Sequence, residues 1–231
     1  MPRNSESHTF LPVDAAYDRW AAFYDSYDNP MVFMASQAIA ASIGDAAGVH
    51  AAFEFGCGTG RNLELLRSRG VVSLSGCDLS EGMLNVARQR CPEGQLYRHD
   101  MTQPLSPDAG PVDLVLFCLT LEHVADLTAP LAQARRILRA GGRLAIFEIH
   151  PFMSLGGVAA HFEDRGEVVE MPTVAHQFPD YLAAFAQLDL RVERCREWRP
   201  RDIGSPSPLK AMKRGPDFPM VVEFSLRPAR T

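Results

Sequence analysis

Lysine is almost missing from this chain of 231 residues: Lys210 and Lys213 are the only two, and arginine supplies the rest of the 23 basic side chains. No basic cluster is dense enough to track a phosphate backbone, and the net charge is −5, which argues against nucleic acid as the main partner. The acidity itself reads as an aid to solubility. Paired cysteine spacing is also lacking. Cys57, Cys77, Cys91, Cys118 and Cys195 are scattered, three of them in or beside apolar runs where a free thiol packs as a small hydrophobe. That excludes a zinc motif and favours a reducing compartment. Long apolar runs are absent too. The longest, residues 112–121, is too short and too interrupted to span a bilayer, and the first residues hold no apolar signal core. The expectation is a soluble, cytoplasmic protein without nucleic-acid or membrane partners.

Against these absences, one stretch is dense in information. Residues 51–66 read Ala-Ala-Phe-Glu-Phe-Gly-Cys-Gly-Thr-Gly-Arg-Asn-Leu-Glu-Leu-Leu. A short apolar run leads into a turn with glycine at 56, 58 and 60, and an amphipathic segment follows. A buried parallel strand turning sharply into a helix has this pattern. Alternate glycines let the backbone approach a ligand closely, and the following helix aims free N–H groups at the same spot.

The rest of the chain repeats the strand–helix alternation. A helical N-terminal region, 13–42, is broken at Asn29-Pro30 and puts Tyr17, Trp20 and Tyr24 on one face; residues 1–12 read as loose. Strands are predicted at 51–55, 71–77, 95–98, 112–118 and 143–149. Helices are predicted at 61–69, 81–90 with Ser80 as N-cap, and 128–139, the last stopped by Gly141-Gly142. Such βα units imply an α/β fold with a parallel doubly wound sheet. Residues 151–178 have no sustained period and read as a lid or substrate-binding insertion. A helix at 179–188, a strand at 191–198, a Pro/Gly/Ser-rich loop at 201–219 and a final strand at 220–227 complete a single domain, with 51–150 as its cofactor-binding core.

In a doubly wound sheet the ligand sits beyond the carboxyl ends of the strands. Asp78 ends the second strand about 20 residues past the glycine turn, where a carboxylate can accept bonds from two ribose hydroxyls. A dinucleotide and an adenosyl cofactor satisfy this equally. The spacing Gly-x-Gly-x-Gly, rather than Gly-x-Gly-x-x-Gly, leans away from the dinucleotide. Glu54, two residues before the first glycine, would oppose a pyrophosphate but suit a cationic sulfonium ligand.

Taken together, residues 54–61 (Glu-Phe-Gly-Cys-Gly-Thr-Gly-Arg), 76–83 (Gly-Cys-Asp-Leu-Ser-Glu-Gly-Met), 99–101 (His-Asp-Met), 119–124 and 136–142 make the sequence resemble the class I S-adenosylmethionine-dependent methyltransferases, particularly the ubiquinone/menaquinone-type small-molecule enzymes. The resemblance implies a Rossmann-like, seven-stranded, mostly parallel sheet with an antiparallel last strand and helices on both faces. It implies S-adenosyl-L-methionine as cofactor, with Gly56, Cys57, Gly58 and Gly60 lining its methionine part and Glu54 supporting that loop or the ammonium group. Asp78 would hold the ribose, Leu79 and Met83 would flank the adenine, Asp100 and Met101 would close its edge, and Cys118 and Leu119 would lie beneath the sulfonium. It also lifts Tyr17 and Tyr24 from core packing to cofactor contact.

Transfer from an activated sulfonium asks the protein mainly to position the nucleophile, exclude water and, for a weak acid, remove a proton. His150 and His123, after the fifth and fourth strands, are the candidate bases. His123 also reads as a structural partner in its turn. His150, His161, Glu163 and His176 match no compact ligand spacing, so no metal is expected. The expected partner is a small-molecule substrate. Two other readings stay open: a non-catalytic S-adenosylmethionine-binding regulatory protein and an NAD-type oxidoreductase.

Overall fold

The computed structural model describes residues 7–43, 46–204 and 208–229. Strand β1 (Ser7–Phe10) leads into helices α1 (Val13–Trp20) and α2 (Pro30–Ile43). Asn29 caps α2 by accepting the Met31 N–H at 2.9 Å, with Pro30 at the first helical position, where a missing N–H is harmless. The alternating core follows: β2 (Ala51–Phe55), α3 (Arg61–Ser68), β3 (Ser73–Asp78), α4 (Glu81–Arg90), β4 (Gln95–Arg98), β5 (Val112–Cys118), α5 (Thr128–Ile137) and β6 (Leu138–Ile149). Helix α6 (Pro151–Leu155), the hairpin β7 (His161–Asp164) and β8 (Glu167–Glu170), helix α7 (Phe178–Gln187), β9 (Leu190–Trp198), helix α8 (Leu209–Met212) and β10 (Val221–Pro228) complete the chain.

Seven strands form one sheet in the order β4-β3-β2-β5-β6-β10-β9, parallel except that β10 pairs antiparallel with both β6 and β9. Side-chain alternation divides the core between its two faces. Leu114 and Leu116 of β5 pack with Ala35 and Ile39 of α2 and Leu63 and Leu66 of α3, whereas Val115 and Phe117 pack with Leu131 of α5 and Phe185 of α7. Strands buried on both faces need near-continuous apolar sequence, which is why β2 and β5 were legible as strands. Among the described residues no helix is long and apolar enough to cross a membrane.

Three expectations are corrected. Residues 7–10 are not loose: β1 pairs in parallel with β8, making a three-stranded sheet β1-β8-β7. The stretch 151–178, read as aperiodic, holds α6 and that hairpin. Their short, polar-edged strands leave no period long enough to detect, and Phe162, Val169 and Met171 cover Trp20 of α1. Helix α5 stops at Ile137, before the glycine pair. Leu138 is already extended and opposes Val112, so Gly141 and Gly142 lie inside β6, in a segment whose register with β5 shifts. Glycine suits an irregular strand as well as a helix stop, and sequence alone does not separate the two.

The small sheet fastens α1 over the carboxyl ends of the large one. Arg19 of α1 pairs with Asp164 at 2.8 Å and Glu167 at 2.7 Å. On the other side Asp18 accepts hydrogen bonds from Ser80 Oγ (2.6 Å) and Gly82 N–H (2.7 Å) at the start of α4. Ser80 Oγ in turn caps α4 through the Met83 N–H.

Candidate active site

The turn after β2 is built around Gly56 and Gly58, both in the left-handed region at φ +64° and +52°. A Cβ on Gly56 would lie 2.1 Å from Thr120 Oγ1, so the turn packs directly on the loop after β5. A Cβ on Gly58 would meet nothing within 4 Å: the backbone there faces open space. Asp78, at the end of β3, holds the turn in place. Its Oδ2 accepts the Gly58 N–H at 2.8 Å and its Oδ1 accepts the Ser80 N–H at 2.9 Å. Burial raises its pKa while these backbone donors oppose the rise.

That open space is a cavity of about 230 Å³ at the carboxyl ends of β2 to β5. It brings together Tyr17, Tyr24, Gly56, Gly58, Asp78, Leu79, Met83, Asp100, Met101, Cys118 and Leu119, with His123 beside them. Residues from five separate segments thus converge as the strand-end rule predicts. Of the other cofactor candidates, Glu54, Cys57 and Gly60 lie behind the turn, outside the lining. Cys57 donates its N–H to the Cys77 carbonyl, and Gly60 begins α3. Glu54 is 1% exposed; its Oε1 accepts from Asn62 Nδ2 at 2.7 Å and its Oε2 has no partner. It supports the turn from below. Val13, His99, Thr102, Thr120 and Val124 complete the lining and were not singled out in sequence.

His150 does not reach this space. It is 4% exposed, its Nε2 pairs with Glu197 at 3.0 Å, and its Nδ1 accepts the Phe152 N–H, which makes it the N-cap of α6. It lines neither this cavity nor the neighbouring one. Ending a strand on the ligand side is insufficient when both ring nitrogens are spent on the local fold.

His123 is placed differently. Its Nδ1 lies 2.9 Å from the Pro172 carbonyl and its Nε2 lies 2.9 Å from Tyr17 Oη. A carbonyl only accepts, so Nδ1 carries the hydrogen and Nε2 receives the Tyr17 hydroxyl proton. Burial holds His123 below its ordinary pKa of 6.5, and burial raises that of Tyr17. The pair is therefore a neutral imidazole with a neutral phenol.

A second cavity of about 420 Å³ shares Tyr17, Tyr24 and Leu119 with the first. Leu119 adopts φ +51°, a costly conformation for leucine, at this junction. The second cavity is walled by Trp20, Tyr27, Met31, Ile149, Met153, residues 158–161 and Met220, so α1, α2 and the segment after α6 enclose it. Glu122 also lines it, with a pKa pushed up to about 8 by burial and then by Glu148. Glu148, raised by burial to about 7, accepts the Thr120 and Leu121 N–H groups through Oε1, while its Oε2 is unpartnered. The available sequence signal for Glu148 was a carboxylate one residue from the end of an apolar strand, a position it shares with Glu54.

Buried carboxyls give a pH test. Burial lifts Glu54 from its ordinary 4.5 to about 8. Between those values the folded chain holds a proton that the unfolded chain has released. The group's contribution to stability therefore declines as pH rises from about 4.5 to about 8 and is constant above. In urea unfolding of the ligand-free protein, Glu54→Gln should remove that decline, narrowing the difference between pH 5 and pH 8 by a few kcal/mol. Parallel stability–pH curves for the two proteins would contradict the protonated buried carboxyl.

Residues 53–146 match the family described as a methyltransferase domain. Over 87 residues the chain is 39% identical to malonyl-[acyl-carrier protein] O-methyltransferase of Serratia marcescens, covering 38% of this chain and 33% of that protein. Over 143 residues it is 29% identical to demethylmenaquinone methyltransferase of Tropheryma whipplei (strain Twist), covering 58% of each. The chain thus spans a third to somewhat over half of the length of these relatives. Among solved structures, an S-adenosylmethionine-dependent methyltransferase from Mesorhizobium loti superposes with a TM-score of 0.67 at 21% identity, covering 82% of this chain and 95% of that one. The match to the domain and the shared fold agree with the resemblance read from the motifs.

Proposed function

We propose that this chain is an enzyme of the class I S-adenosylmethionine-dependent methyltransferases, binding S-adenosyl-L-methionine in the smaller cavity and methylating a small molecule held in the larger one. The observation that carries this reading is the shared wall. Donor and acceptor must meet within bonding reach, and Tyr17, Tyr24 and Leu119 belong to both cavities. The smaller cavity suits the cofactor on its own chemistry. Gly58 offers side-chain-free backbone, Asp78 keeps lone pairs for ribose hydroxyls, and Leu79, Met83 and Met101 offer an apolar slot beside Asp100. When bound, the cofactor supplies an activated methyl group on a sulfonium.

The chain's own residues then have distinct tasks. The aromatic wall of Tyr17, Trp20, Tyr24 and Tyr27 orients the acceptor and excludes water. Tyr17 Oη accepts a proton from the acceptor while passing its own to His123 Nε2. The Pro172 carbonyl keeps Nδ1–H in place and steadies the resulting imidazolium. His123 thus acts through Tyr17 rather than on the acceptor directly. Below its pKa, His123 has no lone pair for this proton. Turnover should therefore fall as pH drops through that value, which lies below 6.5, and level off above.

Calorimetric titration tests the cofactor assignment. S-Adenosylhomocysteine should bind and NAD should not; NAD binding alone would overturn the reading. Asp78→Ala should weaken S-adenosylhomocysteine by about 1–3 kcal/mol, roughly five- to a hundred-and-fiftyfold, because ribose bonds are lost and the Gly58 N–H is released. Unchanged affinity would remove Asp78 from the binding site.

A further inference from the structure

Both lysines of the chain fall in one short segment, and that segment borders the larger cavity. Lys210, Lys213 and Arg214 all line it. All three are exposed, whereas Trp20, Met31, Ile149, Met153 and Met220 on the same cavity are buried. The cations therefore stand at the mouth and the apolar groups form the interior. Lys210 is already engaged: its Nζ lies 3.2 Å from Asp28 Oδ2 and 3.1 Å from the Asp28 carbonyl oxygen. Lys213 and Arg214 have no carboxylate within ion-pair distance among the described residues. Arg214 instead sits over the Phe218 ring at 5.2 Å, and its N–H groups have no hydrogen-bond partner among the described residues. The other carboxylate on the cavity, Glu122, is held protonated at neutral pH by burial. With Lys210 and Asp28 cancelling, the lining carries two uncompensated positive charges, on a protein whose net charge is −5.

We propose that the acceptor is an amphipathic anion, whose apolar body fills the aromatic interior and whose carboxylate or phosphate is held at the mouth by Lys213 and Arg214. This rests on the assignment of the larger cavity to the acceptor. A guanidinium stacked on a ring keeps a planar pair of donors for a carboxylate or phosphate, and a lysine beside it adds a mobile point charge. An uncharged acceptor would leave both cations without a partner. A cationic acceptor would be repelled at entry.

Three probes of one shape separate the possibilities: 4-phenylbutanoate, 4-phenylbutyl phosphate and the neutral 4-phenylbutanamide, each titrated calorimetrically into the full chain at low salt. The acid or the phosphate should bind about tenfold tighter than the amide, and whichever is tighter identifies the anionic group. That preference should shrink as salt is raised. Lys213→Ala/Arg214→Ala should erase the preference and leave amide affinity unchanged. Equal binding of all three probes to the wild type, no binding of any, or an undiminished preference in the double variant would overturn the proposal. S-Adenosylhomocysteine titrated into the same proteins reports separately on the methyltransferase reading. Its failure to bind would sink that reading whatever the anion result, and its normal binding with no anion preference would sink only this proposal.

Discussion

Gly56→Ala should lose at least a hundredfold in affinity for S-adenosylhomocysteine and destabilise the fold by roughly 2–5 kcal/mol. Two costs combine. Alanine at φ +64° is strained by about 1–2 kcal/mol. Its Cβ would also fall 2.1 Å from Thr120 Oγ1 and 2.7 Å from Thr120 Cβ, closer than atoms can sit. Thr120 cannot easily retreat, because its N–H is tied to the buried Glu148 at 3.0 Å. The turn must therefore shift, taking Gly58 and its bond to Asp78 with it. Gly58→Ala makes the informative comparison. Its backbone is similarly strained at φ +52°, yet its Cβ meets no protein atom within 4 Å and would enter the cavity. It should weaken binding with the smaller loss of stability, about 1–2 kcal/mol. Urea unfolding and calorimetry on both variants check this. Equal stabilities would show that contact with Thr120 does not constrain the turn.

Tyr17→Phe should lower turnover by two to four orders of magnitude, the usual range for losing a positioned proton-transfer group. S-Adenosylhomocysteine affinity should stay within about threefold. Phenylalanine keeps the stacking on Trp20 (centroids 5.8 Å apart) and the edge contact with His123 (5.4 Å), so the wall between the cavities persists while the hydroxyl is gone. S-Adenosylhomocysteine formation, followed with the acceptor that turns over best in the wild type, gives the rate. The pH profile separates chemistry from packing. The wild type should lose activity as pH falls through the depressed pKa of His123, and Tyr17→Phe should show no such limb. A variant with near-normal turnover and the same acidic limb would remove Tyr17 from proton transfer.

The central sheet was legible in the chain because buried parallel strands leave a strong mark: near-continuous apolar runs at 51–55 and 112–118, interrupted only by Glu54 and Asp113. The ligand side was legible for the same reason, since the end of every such strand points to one edge. Gly56, Gly58 and Asp78 could be named from position, and the family resemblance added Asp100 and Leu119; all five line the cavity. The covering parts were not. Strands β1, β7 and β8 are four residues each, and their pairing joins residues 7–10 to 167–170 across most of the sequence. No local period records a contact of that range.

The sequence by itself thus determined the strands of the central sheet and the glycine turn, because each rests on local pattern, while the cofactor was implied by the resemblance of five motifs spread from 54 to 142. Only the tertiary structure set the different surroundings of the two histidines. His150 spends both ring nitrogens on Glu197 and Phe152, while His123 is brought to Tyr17 from 106 positions away. Tertiary packing also gathered Lys213 and Arg214 with the aromatic residues of α1 around one cavity. The physical reason is the same in each case: a side chain's chemistry depends on which partners and how much water surround it, and distant segments supply both.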